Sequence, residues 1–180
     1  IWKEFNDIKA EIEKLEQNIK NNATIVNDYI QSCQEFLFEH EFIDEEYQIT
    51  KLGKLAIALG SEGNPLLLAK IISNPNITTL THIDLAALFG MFCVDKVEDY
   101  ISSNPLLIAG FEMAEEINAK FMNNMAELML TIDSSWSIGQ MYMDIAHDWM
   151  SGIPLQQLIN TYNIFEGDFV KNMLKLDKLI

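Results

Sequence analysis

Four prolines divide this chain, at positions 65, 75, 105 and 154, and three of them follow an asparagine: Asn64, Asn74 and Asn104. Between them apolar residues recur at helical steps of three and four. Proline is tolerated in the first turn of a helix and not in its interior, so these prolines are expected near helix boundaries. Pro65 stands at the start of a helix continued by LLLAKII, Asn74 and Pro75 end it, and Asn104–Pro105 open the longest helical pattern, over about 105–132. Thr81 followed by Asp84 is a capping-box variant that opens a helix over 82–93. Ser137 begins another, to about Ser151, closed by Gly152 with Pro154 beyond it. The stretches PLQQLINTYN and FEGDFVKNMLKLDKLI form a short helix, a turn and a longer helix, a helix-turn-helix-like pair.

Upstream of the first proline, Ile1, Phe5, Ile8, Ile12, Leu15 and Ile19 alternate steps of four and three. That is an a/d seam, and it predicts a helix packed along a partner helix, as a hairpin within the same protein. The polar run NNAT at 21–24 is expected to end it, with a second helix from about Ile25 to Glu39. Phe42–Ile43 and Gln48–Thr50 are β-prone pieces around a polar turn, and Thr50 suits the cap of a helix from Lys51. The predicted fold class is therefore all-α: a helical bundle with a small winged-helix-like β-hairpin near residues 42–50 and the helix-turn-helix-like pair at the C-terminus. Residues 1–22 form an amphipathic helix leading into a domain over 23–180. The first residue is not methionine and the last lie in an apolar helical pattern, so both ends read as cuts through a longer polypeptide.

The formal net charge is −15, and all twelve basic residues are lysines, so arginine is absent. Such a surface repels nucleic acid at long range, and any contact with it has to be local or shared with other domains. The acidic Asp44, Glu45 and Glu46 also count against a winged-helix DNA binder, because they sit where a wing would need cations. Cys33 and Cys93 are isolated, which fits buried reduced thiols in an intracellular protein. There is no apolar run long enough to cross a bilayer and no signal peptide, so no membrane partner is expected. A nucleotide-binding loop of either common type is missing, His40, His82 and His147 are far apart, and neither cysteine has a partner at finger spacing. Asp144, His147 and Asp148 share a helix face, expected to be solvated. Met113, Met122, Met125 and Met129 are expected to fill core space. No catalytic residue, metal or cofactor is assigned to this chain.

The last helix carries the one arrangement that bears on binding. Lys171, Lys175 and Lys178 fall within one narrow face, with Phe169, Met173, Leu176 and Ile180 opposite. Gly167 lets the chain turn in closely, and Asp168 suits the helix start. The lysines either stand in water or face a phosphate backbone. Periodicity and the acidic composition by themselves favour lysines standing in water.

Taken in order, YQITKLGKLAIAL (47–59), EGNPLLLAKII (62–72), DLAALFGMF (84–92), DWMSGIPLQQLI (148–159) and IFEGDFVKNMLKLDKLI (164–180) resemble one known domain. It is the C-terminal helical domain, called DSHCT, of superkiller-type DExH-box RNA helicases that feed the RNA exosome. The positions that carry the resemblance are Leu52, Gly53, Lys54 and Ala56; Leu66 to Leu68; Ala86, Ala87, Leu88 and Phe92; Trp149 and Gly152; and Glu166, Gly167, Phe169, Val170 and Lys171. The likeness covers about 25–180.

The resemblance implies that the final helix is the family's "ratchet" helix, lying along a single strand as it leaves two motor domains. Lys171, Lys175 and Lys178, with Asn172 as a polar contact, would then meet single-stranded RNA. ATP and Mg2+ would bind in motor domains of the same polypeptide, an exosome-type assembly would be a partner, and the location would be cytoplasmic or nuclear. Lysine stands at 171 and 175 where the family has arginine, which keeps the charge and loses the flat bidentate fork; Asp168 replaces a serine. The arginine-free composition fits an AT-biased genome, a large DNA virus or a parasite among them, with a virion as an alternative location. Trp149 and Phe165 are expected to set the packing angle of the last two helices from the core. The rival reading is a non-catalytic module that docks other proteins through the 1–20 seam and the acidic surface.

Overall fold

The computed structural model describes residues 2–60, 63–94 and 99–180. Ile1, the side chain of Phe5, and Ser61 and Glu62 of the expected loop fall outside the described residues. Eight α-helices follow in order among them: α1 Trp2–Glu39, α2 Lys51–Ala58, α3 Pro65–Ile72, α4 His82–Phe89, α5 Pro105–Glu127, α6 Met141–Met150, α7 Leu155–Tyr162 and α8 Glu166–Asp177. Three short 3-10 turns, Pro75–Thr79, Gly90–Phe92 and Ser134–Trp136, link them.

Each Asn-Pro pair does what its chemistry allows. Asn64 and Asn104 cap α3 and α5, accepting from the N–H of Leu67 at 3.1 Å and of Leu106 at 3.0 Å. Asn74 caps the 3-10 turn from Pro75, so that pair both ends α3 and starts the next element. Thr81 and Asp84 form a complete capping box at α4. Some helix ends differ from the expected ones. Helix α5 stops at Glu127 because Met129 takes a left-handed φ of 56° and the Leu130 N–H reaches back to the Met125 carbonyl at 2.8 Å. Met129 is thus exposed, whereas Met125 is buried and Met113 and Met122 pack against the core. Helix α6 starts at Met141 and not at Ser137, since Trp136 is buried and its carbonyl accepts from Asn118.

Two expectations are overturned. The NNAT run does not end a helix: α1 is continuous over 38 residues, about 57 Å at 1.5 Å per residue. None of those four residues is proline or glycine, and the Thr24 hydroxyl bonds back to the Lys20 carbonyl at 3.1 Å within the helix. Among the described residues the seam also meets no hairpin partner. Ile8, Ile12, Leu15 and Ile19 are exposed, as are Ile25, Val26, Tyr29 and Ile30 further along. Only the last turns of α1 enter the body, where Phe36 and His40 pack with Phe121 and Trp136 at ring separations of 4.4–6.3 Å.

The winged-helix-like hairpin is likewise unsupported. Among the described residues it reduces to a single antiparallel bridge, Ile43 to Ile49. The intervening acidic tip spends its hydrogen bonds on a turn: Asp44 Oδ1 accepts from the N–H of Glu46 and Gln48, and Tyr47 has a positive φ of 59°. With no room for a second ladder pair, no wing forms. The bridge still has a packing role. Gly53 brings α2 against it so closely that a Cβ there would meet the Phe42 carbonyl and lie 2.8 Å from Ile49 Cγ2.

The core lies where α4 meets α6 and α5, with α3 packed on α5 and α2 on α3, and α7 packed on α6. Leu67, Leu68, Ile71, Leu88, Met91, Leu107, Met143, Ile145 and Leu158 are fully buried there. His40 sits at the rim of this core with its Nε2 buried and unpartnered. Burial holds its pKa below the ordinary 6.5, against the opposing pull of Asn124 and Glu39. The unfolded chain therefore takes up that proton first, so stability is complete above the unfolded value and declines as pH falls through it. Denaturant melts at about pH 7 and about pH 5 should show this loss, and a His40→Phe variant, which keeps a ring among Phe36 and Phe121, should show a smaller one.

Candidate nucleic-acid interface

Helix α8 is held from one side. Phe169, Asn172, Leu176 and Leu179 are buried, and Met173 is packed against the core. Phe169 meets the Trp149 ring edge-on, with centroids 5.2 Å apart. Trp149 thus touches α8 from α6, but at 44% exposed it is not the core residue expected to set the angle of the last two helices. Nor is Phe165, which is 80% exposed. It occupies the N-cap position with extended backbone and no side-chain cap, so Asp168 lies within the first turn instead of capping it. Ile180 is exposed past the helix end, not part of the buried face.

The four residues assigned to a strand separate into two pairs. Lys171 and Lys178 are exposed on the outer side of α8. Lys175 is half-buried, and its ammonium donates to the Phe92 carbonyl at 2.6 Å, capping the end of the 3-10 turn Gly90–Phe92. Asn172 is 1% exposed. Its Nδ2 donates to the Asp168 carbonyl at 3.1 Å, and its own carbonyl accepts from Cys93 Sγ at 3.5 Å. Lys175 and Asn172 thus fasten α8 to the segment around Phe92 and Cys93. The periodicity could have shown this for Asn172, which stands three residues after Phe169 and four before Leu176. Sequence reasoning also missed what shares the outer side with Lys171 and Lys178, namely Gly167, Val170 and Leu174, all exposed.

The face of α6 bearing Asp144, His147 and Asp148 is not solvated as expected. Asp144 is buried and accepts from Tyr100 Oη and Ser102 Oγ, each at 2.6 Å. Asp148 accepts from Tyr162 Oη at 2.8 Å, and His147 lies 3.5 Å from Asp84 Oδ1 and 3.8 Å from Asp148 Oδ1. Burial, reinforced by these carboxylates, pushes both tyrosine hydroxyls well above their ordinary pKa. They stay protonated donors, and the network ties the segment before α5 to α6 and α7. No group of three or more His, Cys, Asp or Glu able to hold a metal occurs among the described residues. Neither Cys93, which is buried, nor Cys33, which is half-buried, takes part in a disulfide among the described residues.

A family model, the DSHCT (NUC185) domain, matches residues 46–180, from the acidic turn through α8. The chain belongs to the DSHCT domain family. The resemblance read from five short motifs is thereby confirmed, and α1 precedes the matched region. Two relatives align with nearly the whole DSHCT chain. One is the "DExH-box ATP-dependent RNA helicase DExH10" of Arabidopsis thaliana, 22% identical over 180 residues, 97% of this chain and 18% of that protein. The other is the "Antiviral helicase SKI2" of Saccharomyces cerevisiae, 24% identical over 181 residues, 96% of this chain and 14% of that protein. This DSHCT chain thus spans less than a fifth of either relative's length. These matches, to a plant and a yeast protein, give no support to a viral source or to a virion location. Among the described residues no helix is long and apolar enough to cross a membrane.

Proposed function

We propose that this DSHCT domain serves a superkiller-type ATP-dependent RNA helicase by guiding single-stranded RNA along the outer side of α8 and bracing the motor domains. The observation that carries the reading is the two-sidedness of α8: its inner residues and Lys175 lock it to the core, while Lys171 and Lys178 stay outside on a chain of net charge −15. A rigid helix with two cations seven residues apart presents them about 10.5 Å apart along its axis, a spacing that an extended strand can meet with separate phosphates. Lysine suffices for that contact, because phosphate recognition needs charge more than a planar fork. ATP and Mg2+ would bind in motor domains elsewhere in the parent polypeptide, and delivery to an exosome-type assembly would follow from the same role.

The test is binding of a fluorescein-labelled 20-nucleotide oligouridylate by anisotropy across a salt series. A Lys171→Ala/Lys178→Ala variant should weaken binding and lower the slope of log affinity against log salt by about 1.4, two contacts at about 0.7 each for a single strand. An unchanged slope sinks the strand-guiding role. Lys175 stays untouched, because its loss would loosen α8. A second reading, docking of another protein, is favoured by the uncovered seam of α1. Contacts made there would be apolar and would hold at high salt.

A further inference from the structure

Of the glycines that sit in or beside helices, Gly53, Gly90 and Gly167 differ in what explains them. At Gly53 and Gly90 an added Cβ would strike backbone atoms of Phe42 or Tyr142, so internal packing demands glycine. Gly167, in the first turn of α8, has no such reason. It is exposed, its φ lies outside the left-handed range, and a Cβ built on it meets no atom within 4 Å. Glycine in a helix is less stable than alanine by up to roughly 1 kcal/mol, the full cost falling in the interior. Nothing inside the described chain offsets that.

Its position points outward to an explanation. Gly167, Lys171, Leu174 and Lys178 follow one another at steps of four, three and four, which sets all four on one stripe of α8. The stripe begins with bare backbone and continues with a cation about 6 Å further along the axis. A side chain at 167 would stand between the helix and anything lying along that stripe. Hence a body that must approach the backbone itself, and present negative charge one turn on, accounts for both features. A sugar–phosphate strand does so.

We infer that Gly167 is the point of closest approach of single-stranded nucleic acid on α8, where the strand passes over bare backbone before a phosphate meets Lys171. This rests on the strand-guiding reading above and goes beyond it by assigning a positioning residue that carries no charge and has no side chain.

The experiment is Gly167→Ala in the same 20-nucleotide oligouridylate assay, beside Lys171→Ala/Lys178→Ala and with thermal melts of each protein. The variant should melt about 1–4 °C higher than the parent, as alanine in an open helical site does. It should also bind the oligonucleotide about tenfold more weakly, the loss of roughly one charge-assisted contact. A gain in stability with a loss of affinity is not what a purely structural glycine would give. Unchanged binding by Gly167→Ala, with affinity lost in the double lysine variant, overturns the role of Gly167 and leaves the strand reading standing. Unchanged binding by both variants, or no salt-sensitive binding by the parent, overturns the reading and this inference together. A lower melting temperature for Gly167→Ala would show that the fold itself needs glycine there, and would also overturn it.

Discussion

Replacing Gly90 with alanine should lower the melting temperature by about 6–12 °C, the loss expected from roughly 3 kcal/mol of forced overpacking in a domain of this size. Gly90 closes α4 in ordinary right-handed geometry, with φ −57° and ψ −20°, so its backbone angles do not require glycine. The requirement comes from across the core. A Cβ there would overlap the Tyr142 carbonyl oxygen, and it would lie 2.7 Å from the Tyr142 carbonyl carbon and 2.9 Å from the Met143 nitrogen. All three are backbone atoms, so no rotamer change relieves the clash. The α6 segment cannot easily retreat either. Tyr142, Met143 and Ile145 are buried, and the Gly139 N–H is bonded to the Met91 carbonyl at 2.9 Å, just beyond Gly90. Far-UV circular dichroism melts of the variant would measure the effect. A shift under about 2 °C would mean that α4 and α6 can part at small cost, contrary to the packing described.

The second large effect is expected at Asp144. Its two carboxylate oxygens each take a hydroxyl, from Tyr100 and Ser102, and Ser102 Oγ in turn accepts from the Asn104 N–H at 3.1 Å. The Ser102 N–H donates to Gln140 Oε1 at 2.9 Å, so the segment leading into α5 hangs on α6 by several bonds around one side chain. Asp144→Ala leaves both hydroxyls without their acceptor and should cost about 2–4 kcal/mol, two orphaned donors at about 1–2 each. Tyr100→Phe removes one donor only and should cost about 1 kcal/mol. In the double variant the losses should not add, because the orphaned tyrosine donor no longer exists to be penalised. Urea denaturation of the four proteins gives the coupling directly. Strict additivity would show that the Tyr100–Asp144 bond contributes nothing to the fold.

Where local chemistry decides the outcome, the sequence was readable. Pro65 and Pro105 near helix starts, and Thr81 three residues before Asp84, were readable because the bonds that fix those starts span no more than three residues. That Asn64, Asn74 and Asn104 supply the capping oxygens came only from the structure. The inner face of α8 was legible for the same reason, since Phe169, Met173 and Leu176 follow the helical period. The family too was legible, because five short motifs in order carry it. The sequence misled where a weak local preference met a stronger competitor. Polar NNAT weakens a helix without breaking one, and the β-prone residues on either side of Asp44–Tyr47 reach a single bridge because the tip consumes its hydrogen bonds in a turn.

The sequence by itself thus determined an all-helical domain of the DSHCT family, its helix starts and the amphipathic character of α8, since all of these depend on neighbours within a few residues or on the order of motifs. Only the tertiary structure decided that Lys175 and Asn172 hold α8 in place while Lys171 and Lys178 face outward, that Asp144 is buried, and that the α1 seam is left uncovered. Each of the first two depends on an atom distant in the chain: the carbonyl of Phe92 lies 83 residues from Lys175 and the hydroxyl of Tyr100 lies 44 residues from Asp144. Residue type and spacing carry no information about which distant carbonyl a lysine will find, because that is settled by how the helices pack.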